Sequence, residues 1–573
     1  MLAGVRPLGG HPAWAITVVL ALALGLRLWG IRHGLPYVYN PDENAHFVPR
    51  AIGFFGHSYN PGYFINPPAF SYVLHAIFAV WFGGRQGVSG AFAADPSDVF
   101  ALARVAVALS GVVSVWLLYV AGRRLLGRNV GLLAAALMAV AFLPVYYSRL
   151  ALNDVPALVP LTLALVGAVG ILRRGWRVDY LVAGAGVGFA VATKYTAGIA
   201  LLPLLVATVA RIREEGDARR SLRRVGAGVI AAATAFLLLN PYALLDLGTF
   251  LDDLTVQSTA AGEGGKLGLT EENGVAYYLW TVSWGLGWVP ALAALGGAAV
   301  LLRSDRRAAA LLLPGPILFL LFMGVQERFF GRWLLPAFPL LCILAAHGAL
   351  LGAAALARLR PRHAAMATSA ASAALLGQGL IYSTHNAVVL SRPDTRALTR
   401  AWLVEHVPAG TKIVVEPIAP DQWAQDPGRP SPATNNGNRW RKYPTSRRPP
   451  TYGPFRRRAP RSSEGVKLED YERITTPALV SAYERDGWCY VVAGSTQWGR
   501  ALAEPGEVPA ALAYYRELTA RSTVAYRASP YDDAQDHVAF NFDWSFDYYP
   551  LAYHRPGPEV IVYRLGGGRC AGG

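Results

Sequence analysis

The protein has 573 residues, of which 53% are hydrophobic and only 16% are charged, whereas soluble domains carry about 25% charged residues. This composition indicates a chain that is largely surrounded by lipid, and it excludes a wholly soluble or intrinsically disordered protein. The net charge of +16, from 53 Lys and Arg against 37 Asp and Glu, fits either nucleic acid binding or basic loops at a membrane, so the positions of the charges must decide.

Long apolar runs predict eleven membrane-spanning helices, because one span needs about 20 mostly apolar residues. The first run, 14–31, is followed by no small-residue cleavage site, so it is interpreted as an uncleaved first helix. The run 179–210 is too long for one span, and dividing it near Lys194 gives two short spans. The other runs cover 99–122, 129–148, 154–172, 225–239, 276–302, 308–325, 333–357 and 364–386.

Basic residues are concentrated in alternate loops between these runs. They are Arg123, Arg124, Arg128, Arg173, Arg174, Arg177, several in 211–224, Arg303, Arg306, Arg307, Arg358, Arg360 and Arg362. Because Lys and Arg are retained on the cytoplasmic side during insertion, the pattern predicts a multi-pass plasma-membrane protein with a cytoplasmic N-terminus and an extracytoplasmic C-terminal region. It also argues against a nucleic acid partner, since short basic loops of this kind are topological anchors.

The same pattern divides the chain into a transmembrane domain, 1–386, and a tail, 387–573. The segment 33–98 is predicted to be the first extracytoplasmic loop, and its apolar part, 67–82, to lie along the membrane interface or to pack on the helix bundle. The tail alternates helix-like and strand-like stretches, which predicts a small α/β domain. Within it, 425–463 is rich in Pro, Arg, Ser and Asn and is predicted to be a long loop or disordered.

The predicted fold class is therefore a polytopic α-helical membrane protein with a C-terminal extracytoplasmic α/β domain. Its three cysteines, Cys342, Cys489 and Cys570, show no spacing typical of metal ligands. They allow at most one disulfide in the tail, and the sequence leaves open whether Cys489 and Cys570 pair.

Three acidic residues near the predicted extracytoplasmic ends of spans are candidates for catalysis. Asp42 and Glu43 follow Pro41 just beyond the first helix, and Asp154 ends the stretch YYSRLALND beside Arg149. A carboxylate at this boundary can act as a general base on a hydroxyl or bind a cation, and partial burial raises its pKa toward a useful range. The alternatives are a solvated turn at Asp42 and Glu43 and, at Asp154, an ion pair with Arg149 that ties two helices together.

Basic residues at the same ends of the spans run against the topological trend, so they are candidates for holding an anionic headgroup. Arg offers a planar fork to phosphate oxygens, and Lys offers a point charge. These residues are Arg27, Arg104, Arg149, Lys194, Arg328 and Arg332. For each of them, the alternative is a contact with ordinary phospholipid or an ion pair with a nearby acid, which for Arg332 is Glu327 or Glu43.

Aromatic side chains in these regions are candidates for stacking on sugar rings. They are Tyr37, Tyr39, Tyr63, Tyr72, Trp280, Trp284 and Trp288. The alternative is an aromatic belt, which is common at membrane interfaces.

Several motifs follow one another along the chain: RLWGIRHGLPYVYNPDE after the first helix, NPPAFSYVL in the first loop, then ARVAVALSGVVSVWLLYVAGRRLLGR, YYSRLALND and ERFFGRWLLPAFPLL. By their order, spacing and sidedness, the sequence resembles the polyprenyl-phosphate-dependent GT-C glycosyltransferases. This group contains the protein O-mannosyltransferases and the lipid A aminoarabinose transferases. The resemblance covers most of residues 15–350 and continues weakly in the tail through TRALTRAWLVEHVPAG and HRPGPEVIVYRL.

The resemblance implies a catalytic cavity that faces the extracytoplasmic side. Asp42 matches the family's first-loop catalytic aspartate, and Asp154 matches its second-loop acidic residue. Some relatives carry Lys or His before the two prolines where this chain has Asn66, and in the aminoarabinose enzymes that Lys contacts the lipid phosphate. Phosphate contact then falls to Arg332, Arg328 and Lys194, and the departure argues against aminoarabinose transfer.

If the segment around Arg328 and Arg332 is helical, the spacing of four residues places both guanidinium groups on one face. The predicted substrate-binding set consists of Arg332, Arg328, Lys194, Arg149, Arg104, Asn66 and Tyr72. Glu43 and Asp154 are expected to orient groups or, with Asp42, to hold a divalent cation, although nothing in their spacing demands a metal.

The predicted function is the transfer of a sugar from a polyprenyl-phosphate donor to the hydroxyl of a lipid, glycan or protein acceptor, with inversion and with Asp42 as general base. Membrane lipids are the other expected partners, and no cofactor is required. One alternative is a secondary transporter, in which intramembrane charges line a substrate path. The other is a membrane-anchored protein whose tail binds a polymer of the cell envelope.

Overall fold

The computed structural model describes residues 14–56, 58–215, 218–262, 267–268, 273–359, 361–426, 438–443, 471–532 and 537–571. Helices form most of the chain as far as residue 406, and the described strands lie in the tail. These features confirm the predicted fold class of a helical membrane protein with an α/β tail. Most of the predicted long loop, 425–463, lies outside the described residues.

Nineteen α-helices precede the tail in the described residues. They are α1 Trp14–Leu28, α2 Val48–Gly53, α3 Ala69–Phe82, α4 Arg85–Ala94, α5 Ser97–Leu126, α6 Arg128–Val140, α7 Phe142–Tyr147, α8 Leu158–Arg173, α9 Arg177–Thr193, α10 Leu201–Glu215, α11 Ala218–Leu239, α12 Tyr242–Leu245, α13 Leu247–Gly262, α14 Gly274–Val282, α15 Trp288–Ser304, α16 Arg306–Leu312, α17 Pro314–Gly324, α18 Phe338–Leu359 and α19 Ala364–Leu390. Short π or 3-10 helices cover Glu43–Phe47, Tyr195–Ala200, Ser283–Gly287, Gly331–Ala337 and Pro361–His363.

Seven helical stretches in the described part of the chain are long and apolar enough to cross a membrane. They are Ser97–Leu126, Tyr195–Glu215, Arg219–Leu239, Gly274–Ser304, Arg306–Gly324, Gly331–Leu359 and Pro361–His406. Four shorter apolar helices, α1, α3, α6 and α8, accompany them. The protein is therefore a multi-pass membrane protein, and the count of eleven spans stays a prediction.

The break that the sequence predicts near Lys194 is present. Helix α9 ends at Thr193, and Lys194 has an extended backbone with φ −154° and ψ 123°. A 3-10 turn, Tyr195–Ala200, then leads into α10. The break brings the Lys194 side chain to the end of α9, where it reaches a neighbouring loop.

The apolar part of the first loop forms α3, which packs on the helix bundle as expected. Its Leu74 and Phe78 are fully buried in the main core, because apolar residues four apart lie on one face of a helix. Near the C-terminal end of this helix, Val80 and Trp81 are exposed.

The tail contains a five-stranded mixed sheet, in the order β2-β1-β3-β5-β4, and this sheet with its helices confirms the predicted α/β character of the tail. Its strands are β1 Lys412–Val415, β2 Arg441–Lys442, β3 Tyr490–Gly494, β4 Ser522–Ala528 and β5 Val560–Leu565. Strand β1 runs parallel to β2 and β3, whereas β5 runs antiparallel to β3 and β4. The surrounding helices are α20 Thr395–His406, α21 Tyr471–Ile474, α22 Ala478–Asp486, α23 Ser495–Ala503, α24 Pro509–Ala520 and α25 Phe542–Asp547. A disulfide joins Cys489 to Cys570.

One stretch of the tail, NFDWSFDYYP at 541–550, packs into the core of the transmembrane part. Its Tyr549 stacks on Tyr382 of α19 with ring centroids 4.3 Å apart. Asn386, one helical turn further along α19, donates to the backbone oxygens of Asp547 and Tyr548. The aromatic side chains supply apolar area for this burial, and the hydrogen bonds satisfy the backbone that enters with them.

Candidate active site

The first candidate base, Asp42, forms an ion pair with Arg332. Asp42 directly precedes the π-helical turn Glu43–Phe47, and its Oδ2 accepts a hydrogen bond from Arg332 Nη2 at 2.5 Å. Its Oδ1 lies 3.6 Å from His46 Nε2. The Asp42 side chain is 35% exposed, compared with 0% for Glu43 and 4% for Asp154. Asp42 is therefore the acid of the three that remains accessible to a substrate.

Arg332 does not share a helix face with Arg328, so that expectation is wrong. Residues 328–330 are not helical, and the 3-10 turn begins only at Gly331. Phe330 has an extended backbone with φ −149° and ψ 130°, so no α-helix connects the two arginines. In both arginines, the Nε group is buried without a hydrogen-bond partner among the described residues.

Asp154 pairs with Lys194 and not with its chain neighbour Arg149. Lys194 Nζ donates to Asp154 Oδ1 at 2.6 Å, and both side chains are largely buried. Asn153 strengthens this junction, since its amide donates to the backbone oxygen of Thr193 at 2.8 Å. Asp154 also interacts electrostatically with Arg332, so the two ion pairs belong to one charged cluster.

Glu43 and Arg104 form a fully buried pair that ties the first loop to the bundle. Arg104 donates from Nε and Nη2 to the two Glu43 oxygens at 2.7 and 2.8 Å. Glu43 also accepts from the backbone N–H of Ala151, and Arg104 Nη1 donates to the carbonyls of Ile31 and His33. Glu43 and Arg104 are both buried and hydrogen-bonded to protein groups, so they are not exposed to a substrate in the way that Asp42 is. Their role is to hold the loop that carries Asp42.

Arg149 and Arg27 also connect neighbouring helices through hydrogen bonds. Arg149 donates to the Leu26 carbonyl and to Asn386 Oδ1, both at 2.6 Å. Arg27 donates to Ser148 Oγ at 3.1 Å and to carbonyls of α6. Both guanidinium groups are fully buried, and none of these hydrogen bonds is made to Asp42.

Asn66 lines a recess of the first loop, whereas Tyr72 is not part of the lining. Asn66 donates to the Tyr63 hydroxyl at 3.0 Å, and the Tyr63 ring stacks on His46 at 5.4 Å. The recess is lined by His46, Phe47, Arg50, Pro61, Tyr63, Asn66, Pro67, Pro68 and Ser71. The Tyr72 hydroxyl instead donates to the Tyr59 carbonyl at 2.8 Å.

Most of the other candidate aromatic residues pack against the tail. Arg400 lies over the Tyr37 ring and Arg396 over the Tyr39 ring, with the latter 3.6 Å from the centroid. The ring of Trp280 packs against the ring of Trp544, and the ring of Trp284 packs against the ring of Tyr549. Trp288 remains 64% exposed. The sequence could not indicate these partners, since they lie more than 200 residues away in the chain.

Asp543 is a residue near the site that the sequence motifs did not single out. Its carboxylate Oδ2 accepts hydrogen bonds from the Tyr277 hydroxyl and, at 3.1 Å, from the backbone N–H of Gly331. Burial raises the pKa of the Asp543 carboxyl to about 6. The aromatic and acidic pattern FDWSFDYY was the available signal, since buried acids among aromatic residues require specific partners.

The three acids do not form a shared metal-binding set. Each carboxylate has a cationic partner: Arg332 at Asp42, Arg104 at Glu43 and Lys194 at Asp154. Among the described residues there is no group of three or more His, Cys, Asp or Glu placed to hold an ion. Because a divalent cation prefers carboxylates that are not already neutralised, the donor set does not fit the predicted cation.

Residues 96–244 match the family model described as dolichyl-phosphate-mannose-protein mannosyltransferase. For this part of the chain, the match confirms the resemblance to the polyprenyl-phosphate-dependent GT-C glycosyltransferases. No curated protein matches the sequence.

Solved structures show overall similarity at low sequence identity. One is ArnT from Cupriavidus metallidurans bound to undecaprenyl phosphate, with 14% identity, a TM-score of 0.46 and coverage of 96% of this chain and 98% of that chain. Another is AglB, the Archaeoglobus fulgidus oligosaccharyltransferase, in complex with an inhibitory peptide and a dolichol-phosphate, with 13% identity, a TM-score of 0.47 and coverage of 87% and 71%. The S. cerevisiae Pmt1-Pmt2 complex bound to the sugar donor has 18% identity, a TM-score of 0.31 and coverage of 43% and 34%. At these TM-scores, no function is transferred from these proteins.

Proposed function

We propose that this protein transfers a sugar from a polyprenyl-phosphate donor to an acceptor hydroxyl on the extracytoplasmic face of the membrane. The observation that carries the proposal is the accessible ion pair between Asp42 and Arg332. It places a carboxylate that can accept a proton beside a guanidinium that can bind a phosphate. The family match over residues 96–244 supports the same reaction class.

In this reaction, Asp42 removes the acceptor proton while the acceptor oxygen attacks the anomeric carbon from the face opposite the phosphate. The new bond between carbon and oxygen forms as the bond to the phosphate oxygen breaks, and its electron pair leaves with the phosphate. The configuration at the anomeric carbon is inverted. The proton on Asp42 is then passed to water or to the departing phosphate.

Arg332 has two roles in this proposal: it pairs with the Asp42 carboxylate, and it binds the donor phosphate. One guanidinium group cannot neutralise both of these anions fully. Without donor, its Nη2 holds the Asp42 carboxylate at 2.5 Å, and its Nε has no hydrogen-bond partner in the described structure. A donor phosphate has oxygens for the open positions of the guanidinium fork. As the phosphate takes up the positive charge, Asp42 becomes less neutralised and therefore a stronger base.

Lys194 is the second cation of this site. Asp154 fixes its amino group at 2.6 Å, and Asp154 also acts electrostatically on Arg332. Two preorganised cations stabilise the negative charge that grows on the leaving phosphate in the transition state. In this proposal, Asp154 aims Lys194, and Glu43 with Arg104 holds the loop that carries Asp42.

The test is sugar transfer by the purified full chain in lipid, using a panel of polyprenyl-phosphate sugars that begins with mannose. Asp42→Asn keeps the shape of the side chain and removes the base, so turnover falls by roughly 10²- to 10⁴-fold. The matched control is Asp98→Asn, because Asp98 is an exposed acid paired with the exposed Arg32. Near-normal turnover in Asp42→Asn, or an equal loss in Asp98→Asn, contradicts the assignment of the base.

A further inference from the structure

We infer that Asp543, a residue of the tail, is a positioning residue for Arg332 and thereby completes the site from the other end of the chain. The inference rests on the proposed function, since it assigns a purpose to the placement of Arg332. Asp543 does not touch Asp42 in the described structure, and it acts through the backbone that carries Arg332.

The contact is made immediately beside Arg332. Asp543 Oδ2 accepts the backbone N–H of Gly331 at 3.1 Å, and the same oxygen accepts the Tyr277 hydroxyl of α14. One carboxylate oxygen therefore joins α25, α14 and the segment that leads into the 3-10 turn Gly331–Ala337. Hydrogen bonds to an ionised acceptor are stronger than neutral ones, so this junction restricts the segment.

The contact with the tail lies where the chain changes from extended backbone to the 3-10 turn. Residues 328–330 are not helical, and Phe330 has an extended backbone with φ −149° and ψ 130°. The turn begins with a hydrogen bond from the Trp333 N–H to the Phe330 carbonyl at 2.9 Å, so the Asp543 contact adds to this local bond in fixing the position of Arg332. The Phe330 ring supplies a further contact, since it packs against Phe542 of α25 with centroids 6.0 Å apart.

Gly331 shows how closely the tail approaches. A Cβ atom at this position would lie 3.1 Å from Asp543 Oδ2, 3.3 Å from Thr281 Cγ2 and 3.3 Å from Trp284 Cζ2. These distances are shorter than ordinary van der Waals contact, so a methyl group must displace a neighbour. The absence of a side chain lets the Gly331 N–H reach the carboxylate.

The charge of Asp543 also acts on the site. Asp543 and Arg332 attract each other electrostatically, so the acid helps to keep the guanidinium near the end of α25. The other groups that act on Asp543 include the Tyr277 hydroxyl, the Gly331 N–H, the acid Asp547 one turn along α25 and the hydroxyls of Tyr147 and Tyr278. Asp547 differs in its contacts, because its Oδ1 accepts from the backbone N–H of Tyr549 within its own turn.

This difference provides a matched pair of variants. Asp543→Ala removes the acceptor of the Gly331 N–H, so Arg332 shifts and kcat/KM for the lipid donor falls by about 10- to 100-fold, largely through a higher donor KM. Asp543→Asn keeps an oxygen acceptor and should restore most of the loss. Asp547→Asn changes a buried acid on the same helix without touching Gly331, and it should leave the donor KM unchanged.

The experiment measures kcat and KM for the lipid donor, with the melting temperature, on each purified full-length variant. If Asp543→Ala fails to fold, Gly331→Ala decides, because it displaces the same oxygen from the other side and is expected to raise donor KM as well. An unchanged donor KM in a folded Asp543→Ala or Gly331→Ala variant overturns the inference, as does an equal change in Asp547→Asn.

The inference and the proposed function fail in different ways. If Asp42→Asn and Arg332→Ala lose activity while Asp543→Ala keeps the wild-type donor KM, the proposed reaction stands and the positioning role is wrong. If Asp42→Asn retains normal turnover, the assignment of the base fails whatever Asp543 does.

Discussion

Arg332 Nη2 and Asp42 Oδ2 lie 2.5 Å apart although 290 residues separate them in the chain. The contact brings the beginning of the Gly331–Ala337 turn against the beginning of the first loop. Neither Glu327 nor Glu43, the two acids that the sequence offered as partners of Arg332, occupies this position in the described contacts.

Arg332→Lys keeps the charge but loses the planar fork, so donor affinity should fall, and Arg332→Ala should lower it further. In a stability role alone, Arg332→Ala would lower the melting temperature without weakening the donor selectively. Donor affinity and melting temperature measured on the same preparations separate these roles. Wild-type affinity in Arg332→Ala contradicts the phosphate role.

Lys194→Gln should weaken donor binding, because it removes the second cation. Asp154→Asn leaves Lys194 charged but removes the carboxylate that holds its amino group at 2.6 Å. Donor binding should therefore be retained, whereas turnover should fall because Lys194 is no longer held in position. A double-mutant cycle of these two substitutions measures their coupling. If Asp154→Asn weakens donor binding as much as Lys194→Gln does, the pair has a common structural role.

Glu43→Gln should destabilise the fold more than it harms the reaction itself. Removing one partner of a buried ion pair typically costs about 3–5 kcal/mol, and Arg104 would then be left buried beside a neutral amide. We expect a clear fall in the melting temperature, with residual turnover in the protein that remains folded. Unchanged stability together with lost turnover would instead place Glu43 in the chemistry.

The tail should lose stability as the pH rises, because of Glu416 at the end of β1. Burial raises the pKa of its carboxyl to about 8 from an ordinary 4.5, although Gly494 N–H and Tyr515 donate to it. Between these two pH values, the unfolded chain releases a proton that the folded chain keeps. Stability contributed by this group is therefore highest below about pH 4.5, decreases up to about pH 8 and is constant above that.

The measurement is the melting temperature of the wild type and of Glu416→Gln from pH 5 to pH 9. As the pH rises, the free energy of unfolding of the variant should increase relative to that of the wild type by at most about 1.4 kcal/mol per pH unit. This increase should level off near pH 8. A difference that does not depend on pH would show that Glu416 keeps an ordinary pKa.

The proposed sidedness is tested by alkaline phosphatase, which is active only outside the cytoplasm. Fusion to the end of the full chain should be active, because the tail is proposed to be extracytoplasmic. Fusion after Ser304, in the basic loop between α15 and α16, should be inactive. Activity at neither position would show that the number of spans between Ser304 and the tail is wrong by one, and a reversed result at both would show that the predicted orientation is wrong.

Local patterns in the sequence predict local features of this fold well. The strand-like stretches TKIVVEP, WCYVVAG and EVIVYRL contain β1, β3 and β5, whereas β2 and β4 were not predicted. The length of the run 179–210 requires the break that occurs at Lys194. The candidate site was only partly predictable. Asp42 and Arg332 were both singled out from local context, but their contact was not.

Ion-pair partners are set by tertiary packing, which sequence distance does not show. Arg149 lies five residues from Asp154, yet it turns into the bundle and bonds to Leu26 and Asn386, while Lys194 reaches Asp154 from 40 residues away. Asp543 was missed for the same reason, since its significance depends on a contact 212 residues away in the chain.

The docking of α25 into the transmembrane part has a consequence for the order in which the protein matures. During synthesis, the chain emerges from its N-terminal end, so Asp42 and Arg332 are made before residues 541–550. If Asp543 holds the Gly331 segment as inferred, a nascent chain that has inserted all of its helices still lacks a fixed Arg332. Only a chain translated and folded beyond residue 550 would then be competent to receive a donor.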